Sequence, residues 1–500
     1  MSKTASMRFV WRVPFALCVV SMAALLGACA HPSPPDPGGA KSWVVENVAN
    51  KTTQELYADL IAPGVFERSG SKVIDGYTVE SGNLRMPDKS DGTLVTVRSA
   101  DGSLTAFIEK TGTRGVLRVN DKGVSTFTPE PYFDPALDDS LPDPREKVAT
   151  APVDSVTEEP KVVDVLLGYS RTAAEQVGGD VNAHALAQIE TVNLALRNSL
   201  VSNVSLKLVG TQVIENNYPV AGGTLSQLGT IFASGISAFE PDLVYGFFSG
   251  HPDDTATGWA YTGGRNGIGR SHSFAAFRHE IGHNAGSSHC NDNNTNNYRF
   301  GYNNGKTATI MCGNSAPYYS TPALTDEHGL PRGNAVTADT ARVWRESAQR
   351  LSSYAPTFDG ERMALVSLGR RHTNYLNLPV DGASEAGFVT LSSAQGPTQL
   401  ISHPAGGSTR LTVKAKDKNG VERDVYLSGM RVKGDCRRTP INAYDVCQYP
   451  PESLNLQLEF NPDDNRSLPS GIHNGVLKLQ ARNRNGTWVK PISVLISVSK

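Results

Sequence analysis

The residues in this chain with the clearest capacity for chemistry are His279-Glu280-Ile281-Gly282-His283-Asn284-Ala285-Gly286-Ser287-Ser288-His289. The preceding Ser273-Phe274-Ala275-Ala276-Phe277-Arg278 gives an apolar stripe at helical spacing, so this segment reads as a helix. On that helix His279 and His283 are one turn apart and present both imidazoles from a single face. Two imidazoles so placed suit the roughly 2.0–2.1 Å bonds of a tetrahedral zinc ion. Glu280 falls on the adjacent side, within reach of a water at the metal without ligating it. Gly286 can leave the helix through a left-handed conformation, and the chain then turns back to deliver His289 as a third ligand. H-E-x-x-H alone is a moderate signal, and adding Gly286 and His289 lowers a chance match to the order of 10⁻⁵ for the chain. The plain alternative is a helix with solvated histidines.

The pattern H-E-x-x-H-x-x-G-x-x-H resembles the metzincin clan of zinc endopeptidases. The resemblance implies one Zn2+ per chain, three histidine ligands plus water, and Glu280 as general base. It also implies that Met311, within Thr309-Ile310-Met311-Cys312-Gly313, forms the apolar floor of a methionine turn. Two residues beyond Met311 stands Gly313, so the tyrosine ligand of astacin-like members is absent. Pro317-Tyr318-Tyr319-Ser320-Thr321-Pro322 looks like the specificity-pocket wall of reprolysin-like bacterial proteases, which assigns Tyr318 and Tyr319 to substrate binding. Gly258-Trp259-Ala260-Tyr261 corresponds to the sheet edge on which substrate lies extended, where backbone hydrogen bonds are largely independent of sequence; core packing of Trp259 is the alternative. With Thr337-Ala338-Asp339-Thr340-Ala341-Arg342 opening a last helix, the whole resembles the peptidyl-Asp metallopeptidase family over roughly residues 70–356. Reprolysins place Asp directly after the third histidine; here Cys290 follows, with Asp292 two further on. Arg299, Lys306 and Arg332 are cations that could meet an acidic substrate side chain.

Those residues need a frame. Residues 161–356 alternate strands and helices: Val162–Tyr169 is a near-continuous apolar run, Asp180 can cap a helix with Leu186, Ile189, Val192, Leu196 and Leu200 at 3–4 spacing, and Leu243–Phe248 is a further buried strand. A mixed sheet covered by helices follows, as in a metzincin-like α/β catalytic domain. Residues 29–128 are β-rich and alternate around turn signals such as Asp101-Gly102, which suits a prodomain. Residues 129–160 are a Pro-rich acidic segment that reads as an exposed linker. Residues 357–500 carry about seven short alternating strands, which suggests an accessory β-sandwich of immunoglobulin-like type.

Residues 1–28 read as a signal peptide: Lys3, Arg8 and Arg12 precede the apolar run Val13–Leu26. Leu26-Gly27-Ala28-Cys29 resembles the lipobox of bacterial lipoproteins, which implies lipidation at Cys29 and an anchor in the cell envelope, at the outer membrane; ordinary cleavage after Ala30 is the alternative. Beyond Cys29 the chain keeps Cys290, Cys312, Cys436 and Cys447. Export suggests two disulfides with three possible pairings, of which Cys290–Cys312 and Cys436–Cys447 are nearest in sequence. No cysteine lies between Cys29 and Cys290, so a latch on the metal would have to be a carboxylate of the acidic linker or simple steric cover. The Asn291–Asn297 loop is a weak candidate for a structural Ca2+, lacking the glycine and terminal glutamate of an EF-hand.

The 500 residues suffice for about three domains. Lys+Arg 47 against Asp+Glu 49 leaves no electrostatic footprint for nucleic acid. No apolar run of 18 residues is present to span a membrane. The expected function is a secreted or surface-anchored zinc endopeptidase acting on protein or peptide substrates. The reading from another class is a surface adhesin or matrix-binding lipoprotein acting through residues 357–500.

Overall fold

A computed structural model describes residues 41–44, 52–56, 61–130, 139–144, 159–356 except 292 and 294, and within the C-terminal part 364–368, 371–373, 375–379, 387–391, 398–400, 411–433, 435–438, 445–448, 454–460, 463–479, 481–483 and 492–500. The described residues are β-rich, with several sheets and few helices. None of those helices is long and apolar enough to cross a membrane. The signal-peptide and lipidation assignments, Cys29 included, lie outside the described residues.

The N-terminal strands β1 (Lys41–Val44), β2 (Val65–Ile74), β3 (Tyr77–Arg85), β4 (Thr93–Arg98), β5 (Leu104–Lys110), β6 (Thr113–Val119) and β7 (Val124–Pro129), with one helical turn α1 (Thr53–Leu56), build an antiparallel sheet in the order β1-β7-β6-β5-β4-β3-β2. Alternation sends Leu94, Leu104, Ala106, Ile108 and Leu117 to one face, covered by Ile61 and Met86. Val79, Val95, Val97, Phe107 and Val116 go to the other.

The central sheet runs in the order β10-β9-β11-β13-β12-β8, with β8 (Ser140–Pro142), β9 (Lys161–Ser170), β10 (Val204–Ile214), β11 (Leu243–Phe248), β12 (Gly258–Thr262) and β13 (Asn266–Arg270). Strands β10, β9, β11 and β13 are mutually parallel, β12 is antiparallel to β13, and β8 joins β12 in parallel. The apolar runs of β9 and β11 are buried throughout, as a covered parallel sheet requires. Its helices are α2 (Arg171–Gln176), α3 (Val181–Asn198), α4 (Gly222–Ile231), α5 (Ala233–Phe239), α6 (Phe274–Ala285) and α7 (Thr340–Leu351). Asp180 caps α3 by accepting from the Ala183 amide. Ala185, Ile189, Val192 and Leu196 of that helix pack on Val163 and Val165 of the central sheet.

The acidic segment departs from the exposed linker expected of it. Asp139 is only 1% exposed, and residues 140–142 are a sheet strand. Backbone pairing with an open edge needs no apolar periodicity, which is why composition alone conceals it. In the C-terminal part nine described strands form one hydrogen-bonded order, against about seven strands expected, and four more form two separate pairs. The additional strands in that order are Arg371–Thr373, too short to display a period of two, and Tyr375–Pro379.

Candidate metal centre

Helix α6 starts where Ser273 accepts from the Ala276 amide and stops at Gly286, whose φ of 107° is left-handed. There the Ser287 amide donates to Gly282 O and the Gly286 amide to His283 O. The last carbonyls of α6 are closed from α7: Arg350 donates to Asn284 O and Ala285 O, and Ser347 to Ala285 O. The helix that carries His279 and His283 is thereby fixed at both ends, and its tight exit leads directly to His289.

The structure brings His279, His283 and His289 together. Nε2 of His283 lies 3.1 Å from Nε2 of His279 and 3.0 Å from Nε2 of His289. Ligands of a tetrahedral ion with ~2.0–2.1 Å bonds stand roughly 3.3 Å apart, so one ion fits among these nitrogens. Their tautomers support this. Nδ1 of His279 faces Ile310 O at 2.8 Å and Nδ1 of His283 faces Ser287 O at 2.9 Å. A carbonyl only accepts, so each Nδ1 carries the hydrogen and each Nε2 directs a lone pair at the shared centre. Lone pairs that close repel unless a cation lies between them. Burial, followed by the neighbouring imidazole of His283, lowers His279 to about 3, so it is neutral and ready to ligate.

A fourth group joins them. Asp139 Oδ1 stands 2.8 Å from His289 Nε2 and 3.3 Å from His283 Nε2, and Oδ2 stands 3.6 Å from His279 Nε2. Three histidines and one aspartate thus form a cluster that could hold a metal ion. The sequence marks out the acidic segment but cannot single out Asp139 from Asp134, Asp138 or Asp143, because no spacing relates any of them to the histidines.

Glu280 is fully buried, and neither carboxylate oxygen has a protein hydrogen-bond partner. Burial, then the charge of Asp139, pushes its carboxyl well above the usual range. Gly258 makes room for it: a Cβ there would stand 2.5 Å from Glu280 Oε1. The strand Gly258–Tyr261 therefore meets the site through Gly258, and its edge is occupied by β8, with Ala260 opposite Ser140 and Tyr261 opposite Leu141. The Ala260 amide donates to Asp139 O at 3.0 Å. Trp259 is half-buried and donates to Thr255 Oγ1.

Met311 is fully buried beneath α6, and the residue before it supplies the carbonyl that orients His279. A disulfide joins Cys290 to Cys312 across 22 residues, tying the His289 segment to the Met311 turn. Strand register places Cys436 opposite Cys447. Tyr319 is buried against Trp344 and donates to Arg278 O, so its ring belongs to the core under α6 and forms no pocket wall. Tyr318 carries the Arg332 guanidinium 3.9 Å above its ring, and Arg332 is held in two bonds by Asp91, in the connection between β3 and β4. In the Asn-rich loop Asn291 is committed to Thr295 and Thr337, and Asp292 lies outside the described residues.

No family model and no curated protein matches the chain. Among solved structures, one described as a chaperone–substrate complex is 23% identical with a TM-score of 0.36, over 52% of this chain and 41% of that one. Metalloproteinase-II from Bacteroides fragilis is 12% identical with a TM-score of 0.32, over 49% of this chain and 80% of that one. A chaperone–tip adhesin complex of CFA/I fimbriae is 13% identical with a TM-score of 0.17, over 25% and 53%. The chain spans about two fifths of the length of the first of these. All are distant likenesses.

Proposed function

We propose that the chain is a zinc-dependent endopeptidase of metzincin type, made in a latent form. The observation that carries this reading is the convergence of three imidazole Nε2 atoms beside the buried, unpartnered carboxylate of Glu280. His279, His283 and His289 would hold the ion, and Met311 would floor it. When bound, zinc supplies Lewis-acid activation of water and stabilises negative charge developing on the scissile carbonyl oxygen. Glu280 takes the proton from the attacking water and passes it to the leaving amine. The backbone of β12 would orient an extended peptide through edge hydrogen bonds.

Latency has its own geometry. Asp139 fills the position nearest all three imidazoles, and residues 140–142 hold the β12 edge. Peptide substrate and β8 compete for one set of backbone groups, so full activity requires that residues 139–142 leave. Protein or peptide substrates, a lipid anchor at Cys29 and a place in the bacterial envelope complete the proposal.

The test uses the full chain with its acidic segment cleaved. Elemental analysis should find about one zinc per chain, and a chelator should abolish casein cleavage. Glu280→Gln should keep the zinc and lose about 10²–10⁴ in turnover. Purified chain without stoichiometric metal, or a Glu280→Gln variant with parental turnover, overturns the reading.

A further inference from the structure

Helix α3 is buried along nearly its whole length, with only Arg197 and Asn198 reaching solvent. A helix covered on every side has a partner on every side. One partner is the central sheet; the other is the N-terminal sheet. Ala183, Leu186, Ala187 and Leu194 of α3 form a single apolar cluster with Tyr77, Val79, Val95, Val97, Phe107 and Val116. Phe107 also stacks on Phe274 of the active-site helix, with ring centroids 5.0 Å apart.

Polar contacts ring and penetrate this cluster. Glu109 on β5 binds Arg278 on α6 through two bonds of 2.6 and 2.8 Å, both side chains nearly inaccessible to water. Ser81 donates to Glu190 at 2.6 Å, and Lys72 pairs with the same carboxylate at 2.8 Å. Asn83 and Asn198 exchange amide hydrogen bonds, and Tyr77 donates to Asp180, the cap of α3. An apolar centre with satisfied polar groups is the anatomy of a permanent interface.

We infer that the N-terminal sheet is a lasting layer of the molecule, which stays bound as a separate chain after the acidic segment between it and the central domain is cut. The partner that fits the exposed-on-departure face of α3 and the first turn of α6 is residues 61–129 of this chain itself. Departure would bare the apolar face of α3 and leave Arg278 buried without its carboxylate. A cut in residues 145–158 therefore severs the backbone without releasing either part. Residues 139–142 are held differently: they touch the metal centre and the β12 edge. They can leave by a second cut in 131–138 while the sheet remains. What this means for activity rests on the peptidase reading; the association itself does not.

The test places recognition sequences for one site-specific protease at 133–137 and at 148–153 of the full chain. After cleavage at both, the excised peptide should be lost on size-exclusion chromatography, while the two large fragments co-elute in one peak near the mass of the uncut protein. Dilution to nanomolar concentration should leave that peak intact, and a Val95→Asp change should split it into two. Should the doubly cut parent elute as two separate fragments, the inference is overturned, whatever its activity. Co-elution without casein cleavage would uphold the association and count against the peptidase reading alone.

Discussion

At the scale of single residues, what distinguishes this site is how much is spent on leaving room. Glu280 has no protein hydrogen-bond partner although it is fully buried, an arrangement costly for stability and suited to a group kept for chemistry. Gly258 preserves that space. Gly258→Ala should lower peptidase turnover by about 100-fold, since its Cβ would stand 2.5 Å from Glu280 Oε1 and displace the carboxylate. Zinc content should be unchanged, because none of the three histidines is touched. Parental casein turnover by Gly258→Ala would remove Gly258 from the site. Asp139 makes the opposite case. Its Oδ1 lies 2.8 Å from His289 Nε2, so Asp139→Ala should give the uncut chain measurable activity. That activity should stay below the level of the cleaved protein, because residues 140–142 still pair with β12. A latent Asp139→Ala chain, equal to its parent in a fluorogenic peptide assay, would assign latency to the strand alone.

At the scale of elements, α6 carries the design. Its apolar stripe, its Ser273 cap and its exit at Gly286 are legible in sequence because each is a local signal with a local cause. The Cys290–Cys312 bridge follows from the same nearness. What sequence does not reveal is what comes from far away. Ile310 O and Ser287 O set the tautomers through backbone atoms, which leave no mark on residue identity. Tyr319, a pocket wall by resemblance, turns into the core because Trp344 and Arg278 O receive it there. Glu130 is another such long-range contact: it accepts from Ser273 Oγ and the Ala275 amide at the start of α6. Burial, opposed by Arg114 and reinforced by Glu109, raises its carboxyl to about 7 from a usual 4.5. A folded-state pKa above the unfolded one stabilises fully below pH 4.5 and loses that contribution as pH rises through 7. The loss is on the order of 3 kcal/mol. Thermal melts of the intact chain should therefore fall between pH 5 and pH 8 by a component that Glu130→Gln abolishes. An identical pH profile for parent and Glu130→Gln would show that this carboxylate does not couple to folding.

At the scale of the whole molecule, the two sheets and the helices between them share one buried electrostatic centre, the Glu109–Arg278 pair with Arg114 and Asn314 around it. Burial alone would raise the Glu109 carboxyl, but Arg278 and Arg114 outweigh it and lower it to about 2. A depressed pKa stabilises above the unfolded value of 4.5, and that contribution disappears as pH falls through 2. Glu109 and Glu130 thus limit the assembly from opposite sides, and its stability should peak near pH 4.5–5 as far as these two groups decide it. Removing one partner of such a pair is far more costly than removing both, because a bare buried charge remains. Glu109→Gln should cost about 3–5 kcal/mol in urea denaturation, with Arg278 left charged against the amide. Glu109→Gln combined with Arg278→Met should recover a substantial part of that loss, a coupling read from the double-mutant cycle. Arg278 also binds Asn314, so recovery should be incomplete. If the double variant is as unstable as the sum of the two single ones, the pair does not act as a unit, and the junction rests on the apolar faces and the other polar contacts around them.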